Sequence, residues 1–379
     1  MAEVLTNTTD LTKVAAAIRE KGGTSGLLVC PDGFVTAIQA IQTGTAELKI
    51  VVSVTSGATV TATKGSKVVS GTSVNGTCML TVPEEGEWTV IATLDGKTSD
   101  SNIVNVVSSY GTSLVFISTR LNDNSWETIR KISDAGTGAN YWSIGDRKAV
   151  TLNGTVGHLT LSNYTTYAFI IGFNHNANVE GTNRIHFQIA KTALSGGKDV
   201  CFCDSSYFND VSTTGYFSMN SSSTNSGGWA SSHMRTNICG TSLSSYSGTI
   251  IGVIPAVLRA VLKSVTKYTD NTGAGGDSIA SNVTSTADYF FLLSEYEVFG
   301  RISYGNTNEK NKQAQYAYYS AGNSKIKQKH NRQTDDAYWW LRSPRVNYST
   351  RFMFVSTNGT VSDDLSADFS LGFAPGFCV

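Results

Sequence analysis

The sequence is poor in charge and in long apolar runs. Charged residues make up 15% of its 379 residues and the formal net charge is zero, so no overall positive field is present to attract nucleic acid or an anionic membrane. No stretch approaches the ~18 consecutive apolar residues of a membrane span. The one local basic run alternates with polar residues and predicts a solvated loop; it consists of Lys325, Lys327, Lys329, His330 and Arg332.

Signals for secretion, disulfides and nucleophilic catalysis are missing as well. The first ten residues, MAEVLTNTTD, have neither the basic nor the apolar region of a secretion signal, so we expect a protein made in the cytoplasm. The six cysteines show no CxxC spacing, which predicts free thiols. There is no GxSxG motif and no phosphate-binding GxxxxGK[ST] motif, so hydrolases and nucleotide-binding enzymes of those types are not indicated.

A few residues could still form a metal or catalytic site. His175 and His186 could share a zinc site with Cys201 and Cys203, or they are hydrogen-bonded structural histidines. A glycan hydrolase needs two carboxylates on facing elements about 5–10 Å apart. The candidate acidic pairs are immediate or near neighbours in sequence: Glu295/Glu297, Asp335/Asp336 and Asp363/Asp364. We predict that the chain has no metal, no cofactor and no catalytic site, and a glycan hydrolase remains the enzymatic alternative.

Short strands and tight turns dominate residues 46–107. About seven apolar-polar alternating runs are separated by turn dipeptides, among them Asn75-Gly76 and Asp95-Gly96, which suit hairpin turns. Trp88 is a candidate core aromatic. This pattern is typical of an immunoglobulin-like β-sandwich, which we place at residues 45–108 as a spacer domain. Residues 108–112 are the predicted linker.

Two short amphipathic helices are predicted ahead of this domain. Residues 8–21 place Leu11, Val14, Ala15 and Ile18 at helical spacing, and a second helix is predicted at 34–44. The run LTKVAAAIREKGGTSGLLVCPDGFVTAIQAIQTG resembles the N-terminal segment of tail proteins from phages and prophages of low-GC Gram-positive bacteria. The resemblance implies that residues 1–44 are a helical virion-docking segment; the alternative is a solubilising leader.

Residues 109–379 mix strands with helices and predict an α+β domain. One helix is expected to begin at 124–131, with Trp126, Ile129 and Ile132 on its apolar face. Another is predicted to span 254–265, with a continuous apolar stripe formed by Ile254, Val257, Leu258, Val261 and Leu262.

This block carries the most specific resemblance. The runs WETIRKIS, YWSIGDRKAVTLNG, AFIIGFNHN, EGTNRIHFQIA, GGWASSHMRTNICG, FFLLSEYEVFG, YWWLRSP and GFAPGFCV occur in the order seen in a poorly described domain of gut phages, prophages and Gram-positive surface proteins. The resemblance implies a C-type-lectin-like fold for residues 109–379. In some relatives that fold is the variable protein of a diversity-generating retroelement, similar to the tropism determinant of a phage tail. Calcium-lectin motifs of the EPN, QPD or WND kind are absent.

The last 35 residues have an unusual composition that fits such diversification. Adenine-directed mutation of Asn codons never produces Lys, Glu, Gln, Met or Trp. The chain has 41 Lys, Glu, Gln and Trp residues in 379, which would place about four of them in residues 345–379, yet none occurs there. Met353 is the one exception to the rule and would be an unvaried scaffold codon.

We therefore predict a variable region at about 345–373 that binds a receptor. Its predicted contact residues are Arg345, Val346, Asn347, Tyr348, Thr350, Arg351, Phe354, Ser356, Thr357, Asn358, Thr360, Ser362, Asp363, Asp364, Leu365, Ser366, Asp368, Phe369 and Leu371. The predicted scaffold residues around them are Trp339, Trp340, Leu341, Arg342, Pro344, Gly359, Pro375 and Gly376. Exposed arginine and aromatic side chains, at Arg345, Tyr348, Arg351, Phe354 and Phe369, would supply the binding energy.

Taken together, these patterns predict a non-enzymatic attachment protein of a phage tail with three parts. Its expected partners are a bacterial cell-surface receptor, protein or glycan, and other tail or baseplate proteins bound through the N-terminus. A homo-oligomer, such as a trimer, is expected by analogy, and nucleic acid and membrane insertion are not. The alternative outside the enzyme class is a fixed adhesin or virion decoration protein.

Overall fold

The computed structural model describes residues 8–20, 35, 37, 47–107, 109–114, 116–191, 198–205, 207 and 215–379. In this part of the chain a short N-terminal helix is followed mostly by β-sheets with a few short helices, which makes a mixed α/β protein of several sheets. The chain divides into two compact units, Met1–Ile117 and Ser118–Val379. No helix within the described ranges is long and apolar enough to cross a membrane.

The N-terminal helix spans Thr8–Glu20, as its apolar spacing predicts. Ala15 and Ile18 are buried, whereas Val14, expected on the same face, is 40% exposed. The second predicted helix lies almost entirely outside the described residues.

Eight strands follow in the described part of the first unit and form two sheets. One sheet has the order β4-β1-β8 and the other has the order β3-β2-β5-β6, with β7 also paired to β5. Asn75-Gly76 and Asp95-Gly96 adopt positive φ at both residues, as the predicted hairpin turns require. The strands are β1 (Lys49–Ser53), β2 (Thr59–Lys64), β3 (Lys67–Thr72), β4 (Thr77–Thr81), β5 (Gly86–Leu94), β6 (Lys97–Thr98), β7 (Asn102–Val106) and β8 (Ser109–Ser113).

The two sheets share one apolar core. Buried side chains alternate with exposed ones along β2, β4 and β5, so each strand contributes one face. Trp88 is fully buried in this core, as predicted, and its indole N–H donates to the Glu84 carbonyl oxygen at 3.1 Å.

The linker predicted at residues 108–112 is wrong for its described part. Residues 109–113 form β8, which pairs in parallel with β1 from Lys49↔Ser109 to Ser53↔Ser113. The short polar sequence carried too little apolar alternation to indicate a strand, and its partner is about sixty residues away in the chain.

The second unit holds thirteen strands among its described residues. Eight belong to one sheet, in which β15-β21-β11-β12-β16-β17 run side by side and β10 links β11 to β9. Smaller sheets are formed by β13-β14 and by β18-β19-β20. The strands are β9 (Arg147–Val156), β10 (Leu159–Phe173), β11 (Ile185–Lys191), β12 (Asp199–Cys201), β13 (Val265–Asp270), β14 (Val283–Asp288), β15 (Phe290–Phe291), β16 (Lys327–Lys329), β17 (Arg332–Ala337), β18 (Trp339–Pro344), β19 (Phe352–Val355), β20 (Val361–Ser362) and β21 (Gly376–Cys378).

Helices of the second unit are short. The longest confirms the prediction near residue 124: Ser125 caps it through the Thr128 backbone N–H, and Trp126, Ile129 and Ile132 are buried. The α-helices are Trp126–Asp134, Ala177–Glu180, Gly228–Ser231, Ile250–Val253, Ala256–Arg259, Glu295–Phe299 and Ala317–Ser320; Met234–Cys239 is a π-helix, and Leu121–Asp123, Gly138–Asn140, Ala280–Asn282 and Thr307–Asn311 are 3₁₀ turns.

The helix predicted at 254–265 is wrong in extent. Ile250–Val253 and Ala256–Arg259 are separate helices, because Pro255 has no N–H to continue a helix and holds Ile254 in an extended conformation. Val257, predicted on the apolar stripe, is 66% exposed.

The solvated loop predicted for the basic run is also wrong in part. Lys327 and Lys329 lie on β16 and are buried together with His330. Lys327 lies 3.8 Å from the Asp199 carboxylate, and Lys329 donates to the Tyr207 carbonyl oxygen at 2.9 Å. Burial of these ammonium groups is possible because each has a polar partner.

All five cysteines among the described residues are free and buried, which agrees with the predicted free thiols.

Candidate functional site

Strand β18 forms the rigid base of the predicted binding region. All six of its residues are buried, and the two tryptophans are fixed by hydrogen bonds from their indole N–H groups. Trp339 donates to the Lys325 carbonyl oxygen at 2.9 Å and Trp340 to that of Phe217 at 3.0 Å. The residues predicted as scaffold are buried, Trp339, Trp340, Leu341, Arg342, Pro344, Pro375 and Gly376 among them, and Gly359 is half-buried in a turn.

Arg342 connects β18 to neighbouring elements. Its guanidinium pairs with both carboxylate oxygens of Glu297 in the helix Glu295–Phe299. It also donates to Thr269 Oγ1 on β13 at 2.7 Å and to the Leu292 carbonyl oxygen at 2.8 Å. A buried arginine with this many acceptors fixes the strand that leads into the terminal segment.

Lys267 on β13 completes a buried ion cluster. Its ammonium donates to Glu180 Oε2 at 2.7 Å, to Glu297 Oε1 at 3.0 Å and to the Tyr316 hydroxyl oxygen at 2.7 Å. Together with Arg342, the cluster contains two cations and two carboxyl groups.

Burial and pairing act in opposite directions on the pKa values of the cluster. Burial raises the pKa of Glu180 to about 7, because the cost of desolvating its carboxylate exceeds the attraction of Lys267. Burial acts in the same direction on Glu297, but Arg342 and Lys267 together hold the pKa of that carboxyl well below its usual range. Burial, with help from Lys267, lowers the pKa of His175 to about 3, so its imidazole is neutral at pH 7.

The two histidines predicted to share a site do lie together. The ring centroids of His175 and His186 are 5.5 Å apart, and both side chains are buried. The cysteines proposed as further ligands contact a different histidine: the Cys203 backbone N–H donates to His330 Nδ1 at 3.0 Å. Among the described residues, neither cysteine belongs to a group of ligand atoms close enough to hold a metal, so the zinc set of His175, His186, Cys201 and Cys203 is not formed.

Another set of side chains meets the distance requirement for a metal. Ligand atoms of His175, Glu180 and Glu297 lie within 4.8 Å of one another. The Lys267 ammonium already lies between these two carboxyl groups at hydrogen-bond distance. It supplies the positive charge that a cation would bring, so the residues fit an ion-pair cluster better than a metal centre.

Beyond Pro344 the chain turns outward and forms what we call the terminal surface, residues 345–369. All but two of the predicted contact residues are exposed or half-buried. The accessible ones are Arg345, Val346, Asn347, Tyr348, Thr350, Arg351, Ser356, Thr357, Asn358, Thr360, Ser362, Asp363, Asp364, Leu365, Ser366, Asp368 and Phe369.

Phe354 and Leu371 contradict the predicted exposure. Both are fully buried, as are Phe352 and Met353 beside Phe354. Strand β19 is the central strand of its three-stranded sheet, and all four of its residues are covered. Alternation along a strand separates its two faces, but it does not show that one of them is open to solvent.

Arginine and tyrosine side chains stack on the terminal surface. The Arg345 guanidinium lies 4.7 Å from the ring centroid of Tyr304 and 4.3 Å from that of Tyr348. Arg351 lies 4.8 Å from the Tyr348 ring, and Asp363 pairs with Arg345. Tyr304 and Tyr348 are 39% and 44% exposed, so this stack presents flat, stiff side chains to solvent.

Tyr304 lies outside the predicted region, and Glu295 fixes its backbone. The Glu295 carboxylate accepts hydrogen bonds from the backbone N–H groups of Ser303, Tyr304 and Gly305, the last at 2.9 Å. Burial nevertheless raises the pKa of Glu295. This carboxylate, a candidate for catalysis in the sequence, serves as an anchor for a turn.

Asn225 is a second contributor that the sequence did not indicate. Its side-chain amide nitrogen donates at 2.7–3.2 Å to three carbonyl oxygens of the loop 345–351, those of Arg345, Tyr348 and Arg351. Its backbone N–H donates to the Ser349 carbonyl oxygen at 2.7 Å. Asn225 is fully buried, yet it lies in the polar run SSSTNSGG, which is typical of a solvated loop.

The glycine loop 273–276 supports Asn225. The Asn225 side-chain oxygen accepts from the Ala274 N–H at 2.7 Å. Gly273 has φ +59°, and a Cβ there would lie 1.9 Å from the Asn225 carbonyl oxygen. Only glycine permits this approach.

The comparison with known families gives a match within the second unit. Residues 205–379 match the model of a domain of unknown function, DUF6273. The matched segment contains the terminal surface, Asn225, Tyr304 and the glycine loop. The comparison with curated proteins gives no match.

Proposed function

We propose that this chain is a receptor-binding protein of a phage tail that attaches the virion to a host cell by reversible contact through the terminal surface. The observation that carries the proposal is the change at Pro344, where a fully buried strand gives way to loops with accessible side chains. In this proposal the N-terminal segment docks on other tail proteins, and display in several copies raises the avidity of a weak single site.

We also propose a fold family for each of the two units. The second unit is taken as C-type-lectin-like, on the sequence resemblance and on the long loops that it displays beside short strands. The eight strands of the first unit are taken as an immunoglobulin-like sandwich, which is supported by two sheets packed around Trp88.

Two observations on the same segment, its amino-acid composition and the accessibility of its side chains, support diversification of the terminal surface. Residues 345–379 lack Lys, Glu, Gln and Trp, and the predicted contacts are accessible at nearly every position. Surface substitutions usually change stability by less than about 0.5 kcal/mol, so such positions tolerate variation. Sequencing the coding locus across a phage population tests this: differences concentrated at template adenines for 345–371 support it, and an invariant segment without a template contradicts it.

Binding itself is tested with labelled protein on a panel of bacterial strains. We expect saturable binding to some strains and at least a tenfold loss of affinity for Tyr348→Ala, because an exposed aromatic stacked on two arginines is a typical hot spot. Val257→Ala, at a residue 66% exposed outside the terminal surface, is the matched control and should bind like the wild type. Absence of binding to every strain would favour a decoration protein.

The glycan hydrolase alternative has less support. The clustered carboxyl groups of Glu180, Glu297 and Glu309 are at most 4% exposed, although burial raises the pKa of Glu180 and of Glu309 to about 7. Two of the three are already engaged with Lys267 or Arg342. A polysaccharide could not reach them without unfolding the surrounding elements.

A further inference from the structure

A cavity of about 460 Å³ in the second unit is lined by basic and polar side chains. Its lining includes Arg130, Asp134, Arg184, Lys263 and Tyr289. The cavity shares no residue with the terminal surface or with the ion cluster around Lys267. Its volume lies in the range of about 300–1,000 Å³ in which proteins hold small ligands.

The charges of this lining do not balance. Arg130, Arg184 and Lys263 contribute three positive charges, and Asp134 contributes one negative charge. Burial opposes ionisation of Asp134, but hydrogen bonds from Lys263 and Arg130 outweigh it and lower the pKa of the carboxyl. Its oxygens lie 2.6 Å from Lys263 Nζ and 2.8 Å from Arg130 Nε, so this one carboxylate is shared by two cations.

No carboxylate of the described ranges pairs with the Arg184 guanidinium. Two of its guanidinium nitrogens, Nε and Nη1, are buried and have no acceptor among the described residues. Its backbone is fixed by a hydrogen bond from its N–H to Asn174 Oδ1 at 3.1 Å. Gly181 is packed so closely that a Cβ there would lie 2.9 Å from Arg184 Nε. Buried charged donors in folded proteins are almost always satisfied, so an acceptor is missing from this arrangement.

We propose that the cavity binds an oxyanion of the phosphate class, either free or esterified to a small alcohol. Arg184 is the principal donor, and the excess positive charge of Lys263 and Arg130 attracts the ligand. Tyr289, also in the lining, carries a hydroxyl group of the kind that pairs with the alcohol part. A cavity of this size is larger than a bare phosphate ion fills, which favours the ester. The site is independent of the proposed receptor contact, so either proposal can fail without the other.

Isothermal titration calorimetry on the full chain with inorganic phosphate and with glycerol 3-phosphate tests the site. We expect saturable binding of at least one probe, and tighter binding of glycerol 3-phosphate if the natural ligand is an ester; equal affinity points to the free ion. Arg184→Gln should weaken binding at least tenfold. Arg120→Gln is the matched control, because the Arg120 side chain is 80% exposed in the same unit, and it should bind within twofold of the wild type.

A second variant tests the site independently in case Arg184→Gln does not fold. Thr182 is exposed at the cavity, so Thr182→Trp should fold normally and block the ligand. Binding of neither probe by the wild type would overturn the proposal, because water or another group of the chain would then satisfy Arg184. Unchanged affinity in both Arg184→Gln and Thr182→Trp would overturn it as well.

Discussion

A single buried carboxamide, that of Asn225, joins the two ends and the middle of the loop that carries Arg345, Tyr348 and Arg351. The loop backbone is held by a side chain about 120 residues earlier in the chain. The loop side chains can therefore change while the backbone keeps its course. This division of roles is what a surface with variable contacts requires.

Asn225→Asp tests this role. The substitution removes the amide donor and places a carboxylate against three carbonyl oxygens, so we expect a loss of about 1–3 kcal/mol in the free energy of unfolding. Hydrogen exchange at residues 345–351 should accelerate more than exchange in β18. Asn237→Asp, at an exposed asparagine, is the control and should cost less than about 0.5 kcal/mol. Equal protection of the loop in both variants would contradict the role of Asn225.

His330 supplies a prediction about pH. Burial lowers its pKa from 6.5 to about 4, and its Nδ1 accepts a hydrogen bond from the Cys203 N–H. The unfolded chain binds a proton between these values and the folded chain does not. The contribution of His330 to the free energy of unfolding is therefore fully present above pH 6.5. It decreases by about 3 kcal/mol as the pH falls to 4.

Urea unfolding of the wild type and His330→Gln at pH 7 and pH 4 measures this contribution. The other titrating groups are common to both proteins, so they largely cancel in the difference. We expect the wild type to be the more stable at pH 7 and its advantage to shrink by about 3 kcal/mol at pH 4. A difference independent of pH would show that His330 is not the group responsible.

At the scale of elements, the buried ion cluster connects two strands and two helices. Arg342 comes from β18, Lys267 from β13, Glu297 from the helix Glu295–Phe299 and Glu180 from the helix Ala177–Glu180. Glu297 contacts both cations, so the charge balance of the cluster depends on this residue more than on Glu180.

Glu297→Gln should destabilise the protein by about 3–5 kcal/mol, because two buried cations lose their shared partner. Glu127→Gln, at an exposed residue of the helix Trp126–Asp134, is the matched control and should change stability by less than about 0.5 kcal/mol. Chemical unfolding at pH 7 compares the two variants. A small loss for Glu297→Gln would mean that Glu180 alone neutralises the cluster.

The sequence correctly predicted those elements that are determined by their own residues, through turn chemistry or apolar periodicity. Turn residues alone indicated the hairpins at Asn75-Gly76 and Asp95-Gly96. Apolar periodicity alone indicated the buried face of the helix Trp126–Asp134. β8 was missed because its pairing with β1 is remote in sequence. Accessible positions of the terminal surface were predicted well, whereas the burial of Phe354 depends on a covering layer that its own strand does not encode.

At the scale of the whole molecule, each unit has a core of its own. The first is built around Trp88 between two sheets, and the second is built on the eight-stranded sheet and β18. The whole terminal surface and its supports, Asn225, Glu295 and Arg342, lie in the second unit, Ser118–Val379. A domain with its own apolar core can in principle fold alone.

We therefore expect residues 118–379, produced without the first unit, to fold cooperatively and to bind cells with the single-site affinity of the full chain. Urea unfolding followed by tryptophan fluorescence reports the fold, because five of the six tryptophans lie in this unit. Titration on the same bacterial strains reports the site, with Tyr348→Ala in the short form as its control. If the short form folds but binds only at much higher concentration, the first unit contributes avidity by assembling several copies. If it does not fold, the two units are not autonomous, and the separation of spacer from binding domain fails.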